Sequence, residues 1–546
     1  MKNRLLVIGA AMFVASLASA DSRPNVLVIM ADDLGYSDLG CYGGEIQTPN
    51  LDALAANGLR FSQAYNASRC CPTRASLLTG KYPHEVGLVK NGRSLSKEVP
   101  TMAEILKANG YRTAMAGKWH LTQASVLDGK GFNNPEHIKV LNNQTRVEWF
   151  GDKETYPAAR GFEKHYGVIW GIVNFFHPFA LVDGFKPVYD LPDDYYITDA
   201  LNQKTVEYIE EFSKGDAPFF IYLAHPAPHW PLHARQEDRA KYAGMYDDGY
   251  EALRQTRYER QVKMKLFDPA INPLPPLDMR NKSGWDGLTA EKKKLLAAKF
   301  ETHAAMVDRI DQGLGAVVKA LEKTGKMENT IIVFLSDNGA SPETPTNAGY
   351  DRPGETPDGR TIRYTGKIPP KEMGNDDTWT GMGAEWANAA NTPLRFWKKE
   401  SYNGGSQTPF IVHWPKGLKT KPGTITDQFC HVMDVQATVL DAAGIEYPKT
   451  FNGKKLSPAR GKSLLPVFQG VEREGYRQIF FEHEGGAAVR QGDWKLVRQK
   501  NKPWALYDFS RDRTETTDVA GQHPERVGQL SAAWDRWWDE VVVPGQ

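Results

Sequence analysis

Residues 25–30 read NVLVIM, an apolar run without the alternation of a strand that shows one face to water. Such a run belongs to an inner strand buried on both faces, the situation of a parallel sheet covered by helices. Residues 111–117, 218–224 and 330–335 give further strand candidates of this kind. Helical stretches lie between them. Thr48-Pro49 supplies a cap and a first-turn proline for a helix running through Leu51, Leu54 and Ala55 to Gly58. Across residues 295–324, Phe300, Ala304, Val307, Ile310, Leu314, Val317 and Leu321 recur at helical spacing and form one apolar stripe. Strand–helix alternation on this scale specifies an α/β fold with a mainly parallel sheet.

From about residue 451 the texture changes. Short strands at 479–482, 487–490, 494–497 and 505–509 surround turns, and 519–541 reads as a terminal helix. The chain is therefore expected to divide into a large unit, 21–450, and a small one, 451–546, an antiparallel sheet with one helix. Residues 124–157, 234–287 and 341–388 are polar, punctuated by Pro and Gly, and read as insertions or loops. Segments of that kind commonly shape substrate sites, and 124–157 is the candidate selecting loop.

The first twenty residues form a separate element. Lys2 and Arg4 precede an apolar stretch over 5–17, then Ala18-Ser19-Ala20 gives a small-x-small pattern. This is the layout of a secretory signal peptide cut after Ala20, too short to span a bilayer comfortably. Export to the periplasm or beyond the cell is expected, with no membrane span. Formal net charge is +1 over 546 residues, so no basic field argues for nucleic acid. Four cysteines in so long a chain make no disulfide framework, although a Cys41–Cys430 bridge is possible.

Chemistry gathers at strand ends, where α/β proteins place their sites. Asp32-Asp33 directly follows the first strand, and Asp337-Asn338 follows residues 331–335. Carboxylate and amide oxygens suit a hard cation. Zinc is disfavoured because no His/Cys pair stands nearby at ligand spacing. Each pair alone is also an ordinary turn or cap. Residues 66–80 read NASRCCPTRASLLTG and contain the pattern C-x-P-x-R ahead of a helix over 75–78. A helix N-terminus favours an anion or a thiolate. On the residues alone, Cys70 and Cys71 could equally be buried free thiols or a metal-binding pair.

The stretch from Cys70 resembles the signature of the sulfatase family, whose first cysteine is oxidised to formylglycine by a maturation enzyme. NVLVIMADDLG at 25–35 is similar to the family's first strand and metal turn, and AGKWHL at 116–121 to its Lys-x-His element. PAPHWP at 226–231, LSDNGA at 335–340 and PLRFWKKESYNGG at 393–405 match later segments, and residues 492–508 its C-terminal sheet. The matches run in family order over nearly the whole mature chain. YDDGYEAL at 246–253 and WANAANTP at 386–393 point to the bacterial arylsulfatase branch.

The resemblance implies the alkaline-phosphatase-like sulfatase fold, a large mixed sheet between helices. Asp32, Asp33, Asp337 and Asn338 match metal ligands, normally for one calcium ion rather than magnesium, with modified Cys70 completing the site. Arg74 matches the support of the formylglycine, and Lys118 and Lys398 match sulfate-binding lysines. His120 matches the histidine beside the formylglycine, and His229 the one at the leaving-group oxygen. The implied reaction is attack by a formylglycine diol on a sulfate ester, a covalent enzyme–sulfate, then elimination of sulfate. Partners would be a sulfated small molecule or glycan and the formylglycine-generating enzyme.

Three departures qualify the match. Thr73 replaces the commoner serine, and Asn403 stands where the family often has glutamate, a change expected to retune the substrate edge. Lys398 is chosen over its neighbour Lys399 by its distance from Gly404-Gly405. His225 and His233 are read as supporting residues. Trp170, Phe175, Phe176, Trp230 and Trp386 could stack on a substrate ring or simply pack. Competing readings are a phosphoester hydrolase of the same superfamily and a non-catalytic binder of sulfated glycans.

Overall fold

The computed structural model of the protein describes residues 22–124, 141–142, 150–280, 283–349 and 351–542. The expected leader at 1–20 and most of the expected 124–157 insertion lie outside them.

Among the described residues the large unit is built on an 11-stranded sheet. At its centre, Asn25–Ala31 lies parallel between Thr330–Ser336 and Phe219–Ala224, and Arg112–Gly117 continues the parallel set. The unbroken apolar run follows from this position. Val26, Val28 and Met30 enter the core on one face, while Leu27, Ile29 and Ala31 enter the core on the other. The long helix Ala290–Lys323 covers the second face with the residues of its apolar stripe. Each large side chain removed from water in this way contributes about 1.5–3 kcal/mol.

A strand that the periodicity does not announce runs against the parallel set and makes this side of the sheet mixed. Gln407–His413 inserts antiparallel between Thr330–Ser336 and Leu59–Tyr65. It carries Pro409, and its register against Leu59–Tyr65 shifts between Thr408 and Phe410, as expected where a residue cannot donate to the ladder. Residues 234–287 are also more regular than expected, holding the helices Gln236–Ala240 and Gly249–Lys263. The second helix buries Arg254, Arg257 and Gln261 on its inner face, so it lacks an apolar stripe and hides from a periodicity argument.

The C-terminal strands Ile479–His483, Gly486–Gln491, Trp494–Arg498 and Ala505–Asp508 form an antiparallel sheet in sequence order, covered by Pro524–Val541. Its apolar side shares one core with Tyr65, Tyr82, Tyr402 and Met433 of the large unit. Asn403 lies beneath this junction. Its amide oxygen accepts from Lys495 Nζ at 2.7 Å, and its backbone N–H donates to Glu515 at 2.8 Å. The expected substrate-edge role is therefore corrected: Asn403 is 1% exposed and braces the two sheets.

All four cysteines are free. Cys41 and Cys430 belong to the cores on opposite faces of the large sheet, so no bridge joins them. Trp386 stacks on Phe300 at 4.6 Å and Trp170 packs against Phe150 and Phe179, which settles both as packing residues. No helix among the described residues is long and apolar enough to cross a membrane.

Candidate active site

The parallel register sets the site. Ala31 pairs with Ser336, so the turns after these two strands leave the sheet side by side. Asp33 N–H donates to Asp337 Oδ1 at 3.3 Å, and Asn338 Nδ2 donates to Asp33 Oδ1 at 2.6 Å. Gly339 closes this turn against the Gly404 carbonyl, which a Cβ would meet at 1.7 Å; hence the need for glycine there. The next strands deliver Lys118 and His120 after Arg112–Gly117, and His229 after Phe219–Ala224.

Cys70 is the first residue of the helix Cys70–Thr79, all of it buried. The helix thus begins at the cysteine, five residues earlier than the sequence suggests. One turn on, Arg74 binds Asp337 Oδ2 through Nε (3.0 Å) and Nη2 (2.7 Å) and gives Nη1 to the Lys118 carbonyl (2.8 Å). Lys118 Nζ pairs with Asp32 Oδ2. Lys398 Nζ pairs with Asp33 at 2.8 Å, whereas Lys399 turns outward to Glu484. His229 Nε2 lies 3.4 Å from Asp33 Oδ2, and its Nδ1 is tied to the Trp230 carbonyl. Asp32, Asp33, Cys70, Arg74, Lys118, His120, His229, Asp337, Asn338 and Lys398 therefore meet at one end of the sheet.

Three carboxylates here face three permanent cations, so formal charge balances, but the donors do not reach every oxygen. Asp32 Oδ1 and Asn338 Oδ1 are buried without a hydrogen-bond partner. Asp32, Cys70 and Asp337 present ligand atoms within 4.8 Å of one another, as do Asp32, Asp33 and His229. Orphaned oxygens beside clustered carboxylates fit a bound cation. The sequence-based ground against zinc does not hold, because the fold brings His229 and Cys70 to the carboxylates from far along the chain.

Burial, then the like charge of Asp337, pushes the Asp32 carboxyl up to about 7 against the pull of Lys118. Burial also raises Asp337, opposed by Arg74. Asp33 moves down despite burial, because His229 and Lys398 stand beside it. Burial opposes ionisation of the Cys70 thiol too, yet the Cys71 hydrogen bond, His120 and Lys118 hold it well below the usual range. Burial lowers His120 to about 4, so that imidazole rests neutral, and burial lowers His229 against the opposing pull of Asp33.

Sequence reasoning missed the wall of the site. Glu343 accepts from Arg69 Nη1 at 3.0 Å and from the Trp230 indole at 2.9 Å, and lies 3.6 Å from Lys398 Nζ. Despite burial, Lys398 and Arg69 hold its carboxyl well below the ordinary range. A glutamate in a Gly/Pro-rich loop carries no signal of this role; Arg69, directly before Cys70, was the available hint. Of the five aromatic candidates, Trp230 is the one bonded into this wall. His225 is buried with neither ring nitrogen bonded, and His233 bridges Phe175 N–H and the Thr378 carbonyl.

Comparison with known proteins agrees with this architecture. The family model described as Sulfatase matches residues 24–445, and one described as N-sulphoglucosamine sulphohydrolase, C-terminal, matches residues 394–531. An arylsulfatase of Klebsiella aerogenes is 32% identical over 86% of this chain and 97% of its own length. An N-acetylglucosamine-6-O-sulfatase of Bacteroides thetaiotaomicron is 25% identical over 95% of this chain and 87% of its own. The crystal structure of Ps i-CgsB with k-i-k-neocarrahexaose superposes with a TM-score of 0.64 at 25% identity, covering 96% of this chain and 98% of that one. The chain belongs to the sulfatase family.

Proposed function

We propose that this hydrolase of sulfate esters is an exported enzyme that works through a formylglycine made from Cys70, beside one calcium ion held by Asp32, Asp33, Asp337 and Asn338. The observation that carries the reading is the convergence on Cys70, within 4.8 Å, of oxygens from Asp32 and Asp337, which hold Lys118 and Arg74. In this structure Cys70 Sγ stands where the formylglycine oxygens would lie. Calcium is favoured over zinc by the four oxygen donors, which suit a hard cation. It tolerates an irregular oxygen cage better than magnesium does. Bound there, the ion supplies Lewis acidity. The formylglycine supplies a hydroxyl nucleophile that can afterwards release sulfate and regain its carbonyl.

The remaining work falls to side chains that the fold has already placed. Lys118 and Lys398 draw the sulfuryl oxygens into a buried site, where fixed positive charge acts through a low dielectric. Arg74 fixes Asp337 and the Lys118 backbone, and so the position of the nucleophile. His229 holds the proton for the departing alcohol oxygen at Nε2, because Nδ1 is engaged. An incoming sulfate monoester favours its protonated form by adding negative charge nearby. His120, neutral at rest, accepts a proton from the formylglycine when sulfate leaves.

The substrate class is an aryl or carbohydrate sulfate, the range spanned by the names of the relatives. Residues 1–20 form the export leader, 21–450 the catalytic unit and 451–546 the small unit. Production with a formylglycine-generating enzyme should give an aldehyde at residue 70, an N-terminus at Asp21 and calcium-dependent release of 4-nitrophenol from 4-nitrophenyl sulfate. Cys70→Ala should abolish turnover. Full turnover in that variant, or an unmodified Cys70 in active protein, would overturn the mechanism.

A further inference from the structure

Cys71 has no part in the chemistry above, yet it is wholly buried beside the residue that does. The first turn of Cys70–Thr79 presents both thiols, 1% and 0% exposed, toward the segment that carries His120. The ligand atoms of Cys70, Cys71 and His120 lie within 4.8 Å of one another. His120 Nδ1 is buried and has no hydrogen-bond partner among the described residues. Cys70 Sγ meets the Asn91 amide, with Nδ2 at 3.6 Å and Oδ1 at 3.9 Å, and otherwise turns to Cys71 and His120, the other two members of the group. Both sulfurs are free thiols, so no disulfide uses them.

Two sulfurs and an imidazole are soft to borderline donors, the ligand set of zinc-class ions rather than of calcium. In a tetrahedral site with bonds of about 2.0–2.3 Å the ligand atoms stand roughly 3.3–3.8 Å apart, so small side-chain rotations would close this cluster. The neighbouring cations do not forbid it. Lys118 is paired with Asp32 and Arg74 with Asp337, so their charges are met before an ion arrives. Both sulfurs bind as thiolates, any proton still on either passing to solvent, and two thiolates neutralise a divalent ion.

We propose that the chain with Cys70 unconverted carries a soft-cation seat made by Cys70, Cys71 and His120, distinct from the oxygen site but sharing Cys70 with it. An ion in that seat caps the residue that must become the nucleophile. The seat itself does not depend on the formylglycine reading; only its loss when one of its two sulfurs is oxidised away rests on that reading.

The test uses full-length, reduced protein made without a maturation enzyme, its Cys70 confirmed by mass, in excess calcium, with Co2+ as the probe. One Co2+ per chain should bind with the sulfur-to-metal charge-transfer absorption of a thiolate site, and Zn2+ should displace it. Cys71→Ser and His120→Gln should each weaken binding at least about tenfold, some 1.4 kcal/mol. Asp337→Asn should leave binding unchanged. Because either seat variant could disturb folding, each is first compared with the parent by circular dichroism, and one folded variant suffices. Absence of the thiolate band at one equivalent, or parent-like affinity in a folded seat variant, overturns the seat. Loss of binding in Asp337→Asn also overturns it, because it places the ion on Asp32, Cys70 and Asp337 instead. Loss of the band on conversion of Cys70 separates this inference from the enzymatic one, which is judged by turnover.

Discussion

Two buried ionic clusters lie a few residues apart in the sequence and are built from the same parts, yet they differ in one respect. Around Asp38, Arg257 gives Nη1 to Asp38 Oδ1 and Nε and Nη2 to Glu45, while His303 and the Gly35 N–H fill Asp38 Oδ2. Tyr246 adds a donor to Glu45, so every carboxylate oxygen of this cluster has one. The Asp32–Asp33–Asp337 cluster leaves Asp32 Oδ1 and Asn338 Oδ1 bare. The contrast appears in proton affinity: His303 and Arg257 outweigh burial and hold Asp38 down at about 2, whereas burial wins at Asp32. A saturated cluster is a brace, and an unsaturated one is a place for something to bind.

The sharpest way to break this comparison is to remove the arginine of the brace. Arg257→Ala strands Asp38 and Glu45 in the interior and should cost at least about 3–5 kcal/mol in a denaturant titration. A loss below about 1 kcal/mol would show that the brace is dispensable. The matched change in the open cluster is Asp32→Asn. Burial already disfavours its charge, so without metal the variant should stay within about 1 kcal/mol of the parent. What it should lose is the response to calcium, which in the parent is about 2.7 kcal/mol at a hundred times Kd. Asp38→Asn should show the reverse: a less stable chain with a full calcium response.

The pH dependence of the metal-free protein should separate the clusters by sign. Asp38 is depressed from 3.8 to about 2 in the fold. Its contribution, about 2 kcal/mol, is present above pH 3.8 and disappears as pH falls through 2. Asp32 is raised from 3.8 to about 7, so between those values the folded state binds the extra proton. Its contribution therefore falls as pH rises through that window, and calcium should flatten the slope by favouring the ionised carboxylate. Unfolding free energies of the parent and Asp32→Asn from pH 4 to 8 check this. Parallel curves would contradict it.

The open cluster was legible because its residues sit at strand ends in short motifs, where the order of strands dictates what meets. The brace was not, although it supports the same segment. Glu45, Arg257 and His303 come from three separate stretches, and Arg257 occupies the polar inner face of a helix that no apolar stripe reveals. The buried central strands were legible for the physical reason that two-sided burial removes alternation. The antiparallel pair Leu59–Tyr65 and Gln407–His413 was not, since one reads as polar and the other holds a proline. Asn403 shows the limit of motif reading: a matched position gave its neighbourhood in the chain, while its partners Lys495 and Glu515 decided what it does.

Glu343 lies between the two cases, a carboxylate saturated by Arg69, Trp230 and Ser341 but 27% exposed at the mouth of the site. It orders Lys398 and also offsets the positive charge meant for the sulfuryl group, and Glu343→Gln distinguishes these effects. Removing one negative charge about 5 Å from a bound anion, with water nearby, should favour that anion by roughly 1 kcal/mol. The ordering lost is smaller, because Asp33 still holds Lys398 at 2.8 Å. Inorganic sulfate should therefore inhibit the variant about fivefold more tightly, KM should fall, and kcat should fall with it as product leaves more slowly. Unfolding stability should change by less than about 1 kcal/mol, as expected for a partly exposed pair. Weaker inhibition by sulfate would reverse the assignment, making Glu343 chiefly a brace for Lys398 and placing the boundary between closed and open clusters on the other side of this residue.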